Sequence, residues 1–417
     1  MDIGELLALG LGLQPPWRLV GQRVDASKQP HEVYLEVAAD RGAEFPCPEC
    51  GRLCKAHDFQ EFTWRHLNIF QYHCYVIGRI PRVDCPDHGT RRVKAPWARE
   101  GSRFTLLFEQ AAMTLLREMP VLAAARIIGV SDKRLWRVVH YYVAQALSRL
   151  DLSGVKAVAL DETACKRRHN YVTVFIDLDR KQKPVIFVTP GKGKDCLVQF
   201  RHFLRKHGGN HQNIAEVVCD MSPAFLAAIG KSFPSANVTV DWFHVVQLFT
   251  TAVDEVRKAE AKQHKLPKAT RWAVLKAADG GRLTEKQQQA LTELETGGFA
   301  TATAWRLKEM LRWIRKATTA RAARWRITHF CRHALKCIAP DTKTLAPVLK
   351  ALMTLEEHAH LILRRWSSNH SNARLEGLNG IFQAARARAR GYRNVFTFIT
   401  MIYFIAAPLG ELIKFHS

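Results

Sequence analysis

Acidic residues are scarce in this chain of 417 residues: 38 Asp and Glu stand against 62 Lys and Arg, a formal net charge of +24. The excess runs along most of the chain and fills no single tail. It exceeds what solubility requires, and a field of this sign draws polyanions, nucleic acid first. Long apolar runs are also lacking. The stretch "NVFTFITMIYFIAAP" stops at Pro408, too short for a membrane span and suited to a buried final helix. The start, "MDIGELLALGLGLQPPW", has no basic segment ahead of its apolar residues, so no secretory signal is expected. The ten cysteines offer no disulfide framework, because the paired ones have metal-site spacing and the rest are scattered. These absences point to a reduced, cytoplasmic, nucleoid-associated protein without a membrane partner. A hydrophobic content of 47% excludes a disordered chain, and the length accommodates two to four domains.

The first hundred residues carry two metal knuckles. Cys47 and Cys50 lie in "CPECG", Cys85 and His88 in "CPDHG", with strand-like sequence from Tyr72 to Ile80 between them. Tetrahedral zinc needs four N or S ligands, and a two-residue gap lets both ligands of a knuckle reach one ion. Cys54 and Cys74, then His57 and His73, are the substitute ligands. A helix-turn-helix pattern follows in "MPVLAAARIIGVSDKRLWRVVHYYVAQAL", residues 119–147. Gly129 and Val130 make the turn and Ser131 is placed to cap the next helix. Leu135, Val138, Val139 and Tyr142 repeat at helical spacing, which leaves Lys133, Arg134 and Arg137 off the buried face and available to DNA.

From Gly154 the pattern turns to β. "VKAVALD" is an apolar strand that ends on Asp161 and Glu162; "NYVTVFIDLD" and "PVIFVTP" follow as strands. After an amphipathic helix, "IAEVVCD" is a fourth strand ending on Asp220, and "ANVTVD" a fifth ending on Asp241. Three strands, a helix, a strand, a helix and a strand is the order of the ribonuclease-H-like sheet, in which the first and fourth strands are neighbours. Asp161 and Asp220, 220 − 161 = 59 residues apart, would then stand side by side. Adjacent carboxylates repel unless a cation joins them, and hard divalent ions, two of Mg²⁺ or Mn²⁺, are the natural occupants. Asp161 is preferred to Glu162 because it ends the apolar run and only one of the two can point at Asp220.

Glu376 is the candidate third acid. It lies on a polar stripe with Asn372, Asn379 and Gln383, beside an apolar stripe of Leu375, Leu378 and Phe382. It is the only acid between Arg364 and Arg393, a stretch with seven arginines, of which Arg386, Arg390 and Arg393 are candidate phosphate contacts. Gly377 and Gly380 inside this helix suggest close approach to a neighbour.

Taken in order, these pieces resemble bacterial DDE transposases of the ISL3 insertion-sequence family. The most specific matches are "VDWFHVVQLF" and "SNARLEGLNGIFQAARARARGYRN". The resemblance implies a ribonuclease-H-like core with Asp161, Asp220 and Glu376 as its metal-binding triad. It also implies an accessory Asp-x-x-His element of Asp241 and His244. His88 departs from the second C-x-x-C of many relatives, a change zinc accepts. The basic, helix-patterned segment between His244 and Arg364, in which Trp305, Trp313 and Trp325 lie among arginines, would be an all-helical insertion. The expected fold is multidomain α/β. Residues 1–100 form a zinc-ribbon module and 101–150 the helix-turn-helix. Residues 151–244 and 366–417 form the two parts of the core, around an insertion at 245–365. The expected function is binding of insertion-sequence ends with strand cleavage and strand transfer. The partners are transposon-end and target double-stranded DNA, bound by a homo-oligomer. A nuclease without strand transfer, or a DNA-binding regulator, is the alternative.

Overall fold

The computed structural model describes residues 3–166, 170–276, 283–368 and 370–408. Part of the link between the first two expected core strands, residues 277–282 of the expected insertion and the end of the last expected domain lie outside them. The chain divides into two compact units. One holds the residues up to Arg149 with Arg388–Arg390 and the stretch from Pro408; the other holds Leu150–Ala387 and Gly391–Ala407.

The first unit opens with α1 (Ile3–Gly10) and a six-stranded sheet. Its strands are β1 (Trp17–Asp25), β2 (Glu32–Ala39), β3 (Glu44–Pro46), β4 (Leu53–Ile69), β5 (Tyr72–Cys85) and β6 (Gly89–Arg92). The order is β1-β2-β5-β4-β3, with β6 on β5. Three helices follow: α2 (Leu106–Glu118), α3 (Val121–Ile128) and α4 (Asp132–Ser148). Helix α2 precedes the two expected from the sequence. Gly129 ends α3 at φ +72, and a Cβ there would lie 2.6 Å from the His73 ring, so conformation and space both require glycine. Ser131 occupies the cap position of α4, but its side chain makes no capping bond. The fully buried Glu109 of α2 joins the sheet's exit segment to the helices. It accepts from Arg99 at 2.9 and 3.0 Å, from Ser102 at 2.7 Å and from the Tyr142 hydroxyl at 2.8 Å.

The second unit is built on a five-stranded sheet of order β11-β10-β7-β8-β9. Strands β7 (Ala157–Lys166), β8 (Asn170–Asp177) and β9 (Val185–Pro190) form an antiparallel meander. Helix α5 (Lys194–Lys206) leads to β10 (Glu216–Cys219), and α6 (Pro223–Ser232) to β11 (Asn237–Val240). β10 runs parallel to both β7 and β11. The strands are apolar on both faces, as strands covered on both sides must be.

Among the described residues seven α-helices separate β11 from the Glu376 segment: α7 (Trp242–Glu260), α8 (Thr270–Leu275), α9 (Glu285–Thr296), α10 (Ala300–Arg315), α11 (Ala320–Ile338), α12 (Ala346–Glu357) and α13 (Ala359–Leu363). They share one apolar core, running from Val245 and Phe249 on α7 to Ile362 on α13. Trp305 is half-buried against it, whereas Trp313 and Trp325 are exposed with ring centres 5.7 Å apart. The chain returns to the sheet with α14 (Ala373–Arg388) and α15 (Val395–Ala406). α15 is the buried final helix, and its Tyr403 hydroxyl accepts from Val188 N on edge strand β9 at 2.8 Å. Among the described residues no helix is long and apolar enough to cross a membrane.

Candidate active site and metal centre

Cys47, Cys50, Cys85 and His88 converge, with all four ligand atoms within 4.8 Å of one another. The Cys50–Cys85 sulfurs lie 3.7 Å apart, and His88 Nδ1 lies 3.6 Å from Cys85 Sγ and 3.9 Å from Cys47 Sγ. A tetrahedral zinc with Zn–S of about 2.3 Å and Zn–N of about 2.0–2.1 Å sets ligand edges of about 3.6–3.8 Å, so the cage has zinc dimensions. Each knuckle turns on a glycine with positive φ, Gly51 at +77° and Gly89 at +65°. The His88 ring beside Cys85 lowers that thiol to about 6, favouring the thiolate that zinc needs. The substitute ligands stand aside. Cys54 bonds Arg52 O, Cys74 is core with its thiol pushed up to about 12 by burial, His57 is exposed, and His73 packs at Gly129.

In the second unit the acids gather at one end of the sheet, with one correction to the sequence reading. Asp161 does not end its strand. β7 continues to Lys166 against β8, while its pairing with β10 stops at Ala159. Asp161 therefore sits where one side of β7 loses its partner. Asp220 lies beyond the last paired residue of β10, out of the pleat, and its charge raises the carboxyls of both Asp161 and Glu162. The two still point to opposite faces. Asp161 Oδ2 accepts from Asn379 of α14 at 2.8 Å, while Glu162 acts on Cys196 of α5.

Helix α14 is stitched to β7 along one stripe. Beyond the Asn379 bond, Gln383 Nε2 donates to Thr163 Oγ1 at 2.7 Å and to Ala164 O at 2.9 Å, and Arg386 donates to Ala164 O at 2.8 Å. Arg386, expected as a phosphate contact, is thus engaged with the sheet. Asp241 caps α7 through Phe243 N at 3.0 Å, and its second oxygen accepts from Asn372 N, also at 3.0 Å, one residue before α14 begins. The same carboxylate therefore holds both ends of the helical segment. The glycine expectation fails, since a Cβ on Gly377 or Gly380 would meet nothing within 4 Å. Both positions are exposed, and nothing among the described residues requires them to be glycine.

Burial is the largest influence raising the Asp161 carboxyl. The Glu162 amide and His244 oppose it, and Asp220 and Asp241 add to it. Burial also raises Glu376, with Asp241 and Asp161 adding and His244 opposing. Among the described residues none of Asp161, Asp220, Asp241 and Glu376 forms an ion pair with Lys or Arg, in a chain with 62 of them. Among the described residues no three of these acids close to the 4.8 Å mutual spacing of the zinc ligands. Several buried polar atoms beside them lack a hydrogen-bond partner: His244 Nε2, Asn379 Oδ1 and both polar atoms of the Asn372 side chain. Carboxylates with no Lys or Arg ion pair and orphaned polar atoms around them fit a hydrated divalent cation.

On α4, Lys133 and Arg137 are exposed as expected, but Arg134 folds over the Phe104 ring at 4.3 Å and is half-buried. Arg390 and Arg393 are exposed, Arg390 with φ +55 where α14 has ended.

Three family profiles match the chain. One described as "Transposase" covers residues 158–402, one described as "Helix-turn-helix domain of transposase family ISL3" covers 93–143, and one described as "zinc-finger of transposase IS204/IS1001/IS1096/IS1165" covers 43–88. Among curated proteins, the chain is similar to the transposase for insertion sequence element IS1001 of Bordetella parapertussis. The two are 27% identical over 362 residues, 84% of this chain and 85% of that protein. It is also 27% identical over 241 residues to the transposase for IS1557 of Mycobacterium tuberculosis, 57% of this chain and 51% of that protein.

Two outcomes follow from the geometry. Elemental analysis of the purified chain should return one zinc per polypeptide, lost when Cys47→Ser and Cys85→Ser are combined; zinc retained by that double variant would count against the cage. Glu162 provides the pH test. Its carboxyl is raised from 4.5 to about 7, chiefly by burial and then by Asp220. The folded state therefore holds this proton more tightly than the unfolded one. The stabilising contribution is complete below 4.5 and is lost as pH rises through about 7. In urea denaturation without added Mg²⁺, wild type should lose stability relative to Glu162→Gln across that window, and a pH-independent difference would refute the assignment.

Proposed function

This chain belongs to the ISL3 family of transposases, and on that basis we propose that Asp161, Asp220 and Glu376 carry its chemistry: metal-dependent cleavage of a DNA strand at an insertion-sequence end, then transfer of the cut end to target DNA. The observation that carries this reading is the gathering of carboxylates, three half-buried and Asp241 buried, without a Lys or Arg ion pair, in a strongly basic protein. The strand order of the second unit supports a ribonuclease-H-like core, and the seven helices between β11 and α14 support an inserted domain.

Asp161 and Asp220 would hold divalent ions jointly, with Glu376 completing the set from α14. Two Mg²⁺ or Mn²⁺ ions held by these residues would supply Lewis-acid activation of a water or 3′-hydroxyl and charge stabilisation for the leaving oxygen of a phosphodiester. Asp161 presents its carboxylate from the unpaired side of β7, fixed by the Glu162 amide and Asn379. His244 counters the charge of both Asp161 and Glu376 from the first turn of α7. Asp241 keeps α14 at the sheet end through Asn372 N. Lys133 and Arg137 would contact the phosphate backbone from α4, with Arg390 and Arg393 as further contacts. Arg134 instead supports the helix-turn-helix through Phe104. Exposed Trp313 and Trp325, with Arg326 at 5.3 Å from the Trp313 ring centre, offer a stacking surface for unpaired bases. A regulator with relic acids is disfavoured, because a relic site is free to lose its carboxylates or pair them with cations.

Strand cleavage at equal DNA occupancy tests the acids. Asp161→Asn should bind DNA but neither cut nor join it, whereas Glu162→Gln should be much milder because it faces α5. Full cleavage by Asp161→Asn would overturn the reading; cut ends without joined products would select the nuclease. For the helix-turn-helix, combining Lys133→Ala and Arg137→Ala should reduce the slope of log affinity against log salt by about 1.8, at about 0.9 per phosphate contact. An unchanged slope would remove α4 from the DNA interface.

A further inference from the structure

Asn379 stands apart from the other polar residues of α14. Gln383 and Arg386 bond only Thr163 and the main chain of Ala164, which sets the helix on the strand. Asn379 instead bonds an acid of the site, with Nδ2 at 2.8 Å from Asp161 Oδ2. Asp161's other oxygen is held by the Glu162 main-chain amide at 2.7 Å. Both oxygens are thus tied by neutral donors, with no Lys or Arg paired to them. An ionised carboxylate only accepts, so the amide end facing it must be nitrogen. That fixes the orientation of the Asn379 side chain and turns its Oδ1 the other way, where it is buried with no partner. The orphan has company: the Asn372 side chain, with no exposed surface, has neither polar atom bonded, and His244 Nε2 is in the same state. Buried polar groups left unpaired are costly, so a cluster of them beside one set of acids needs an explanation.

We propose that Asn379 is a positioning residue for the acid site: its Nδ2 sets the Asp161 carboxylate in the orientation that takes a divalent ion, and its Oδ1 receives a water of that ion's hydration shell. The inference rests on the acid-site reading above. It accounts for both ends of one side chain, the engaged donor and the orphaned acceptor. A magnesium-type ion keeps several waters, and each needs an acceptor in its surroundings. Asn372, whose main-chain N is held by Asp241, offers a second buried acceptor of the same kind.

The test is Mn²⁺ binding to the full, zinc-loaded chain, followed by the electron paramagnetic resonance signal of free Mn²⁺, with thermal melting of every variant. Asn379→Leu keeps the volume and removes donor and acceptor. It should weaken Mn²⁺ binding about 10–100-fold, the range for outer-shell partners, at a melting temperature close to wild type. Because the isosteric variant risks misfolding, Asn379→Ser and Asn379→Ala form a second pair. The serine hydroxyl still donates and accepts, so the serine variant should bind more tightly than the alanine one. Wild-type affinity in Asn379→Leu, or equal affinities in the second pair, would overturn the positioning role. Asp161→Asn separates the two levels: if it too binds Mn²⁺ like wild type, the acid-site reading has failed, whereas its loss of binding leaves any failure with Asn379 alone.

Discussion

Like charges gathered at the end of a sheet repel, and most of what surrounds the acids of the second unit answers that repulsion. Asp161 is held on both oxygens, by the Glu162 amide and Asn379. Asp220 accepts from Ser222 N at 3.0 Å as the chain turns into α6. Asp241 is divided between Phe243 N and Asn372 N. Each carboxylate is restrained by a neutral N–H and none by an Arg or Lys. Neutral donors fix position without cancelling charge, so they leave the electrostatic demand in place. A guanidinium inserted among these acids would stabilise the bare protein and occupy the place of a metal.

Much of this arrangement was legible in the residues themselves. The ribbon was readable because metal chemistry fixes both ligand type and local spacing, and because each knuckle ends on a glycine that its turn requires. The apolar strands were readable because burial on both faces leaves no alternation to confuse. The polar stripe of Asn379 and Gln383 was visible as helical spacing beside Glu376, but not which strand it would meet.

The features that escaped depend on pairing across the sheet and on packing between distant segments. No local pattern could reveal that β7 keeps its ladder with β8 past Asp161 while losing β10, since that is a property of three strands together. Arg134 and Arg386 read as exposed cations because a basic residue off an apolar face usually is. Phe104 and the Ala164 carbonyl claim them only once the fold is assembled. Asp241 read as an accessory acid, and its hold on the start of α14 lies 372 − 241 = 131 residues away in sequence.

That hold has a consequence for synthesis. A chain emerging from the ribosome delivers the zinc cage and the helix-turn-helix first, then the sheet with Asp161 and Asp220, and only after the helical segment does it deliver Glu376. Every nascent or truncated product that stops within the helical segment therefore carries DNA-recognition helices and at most an incomplete set of acids. On the proposed assignment such fragments occupy DNA without cutting it. Assembly order alone then keeps the cell's DNA safe from half-made enzyme and makes prematurely terminated chains competitors of the finished one.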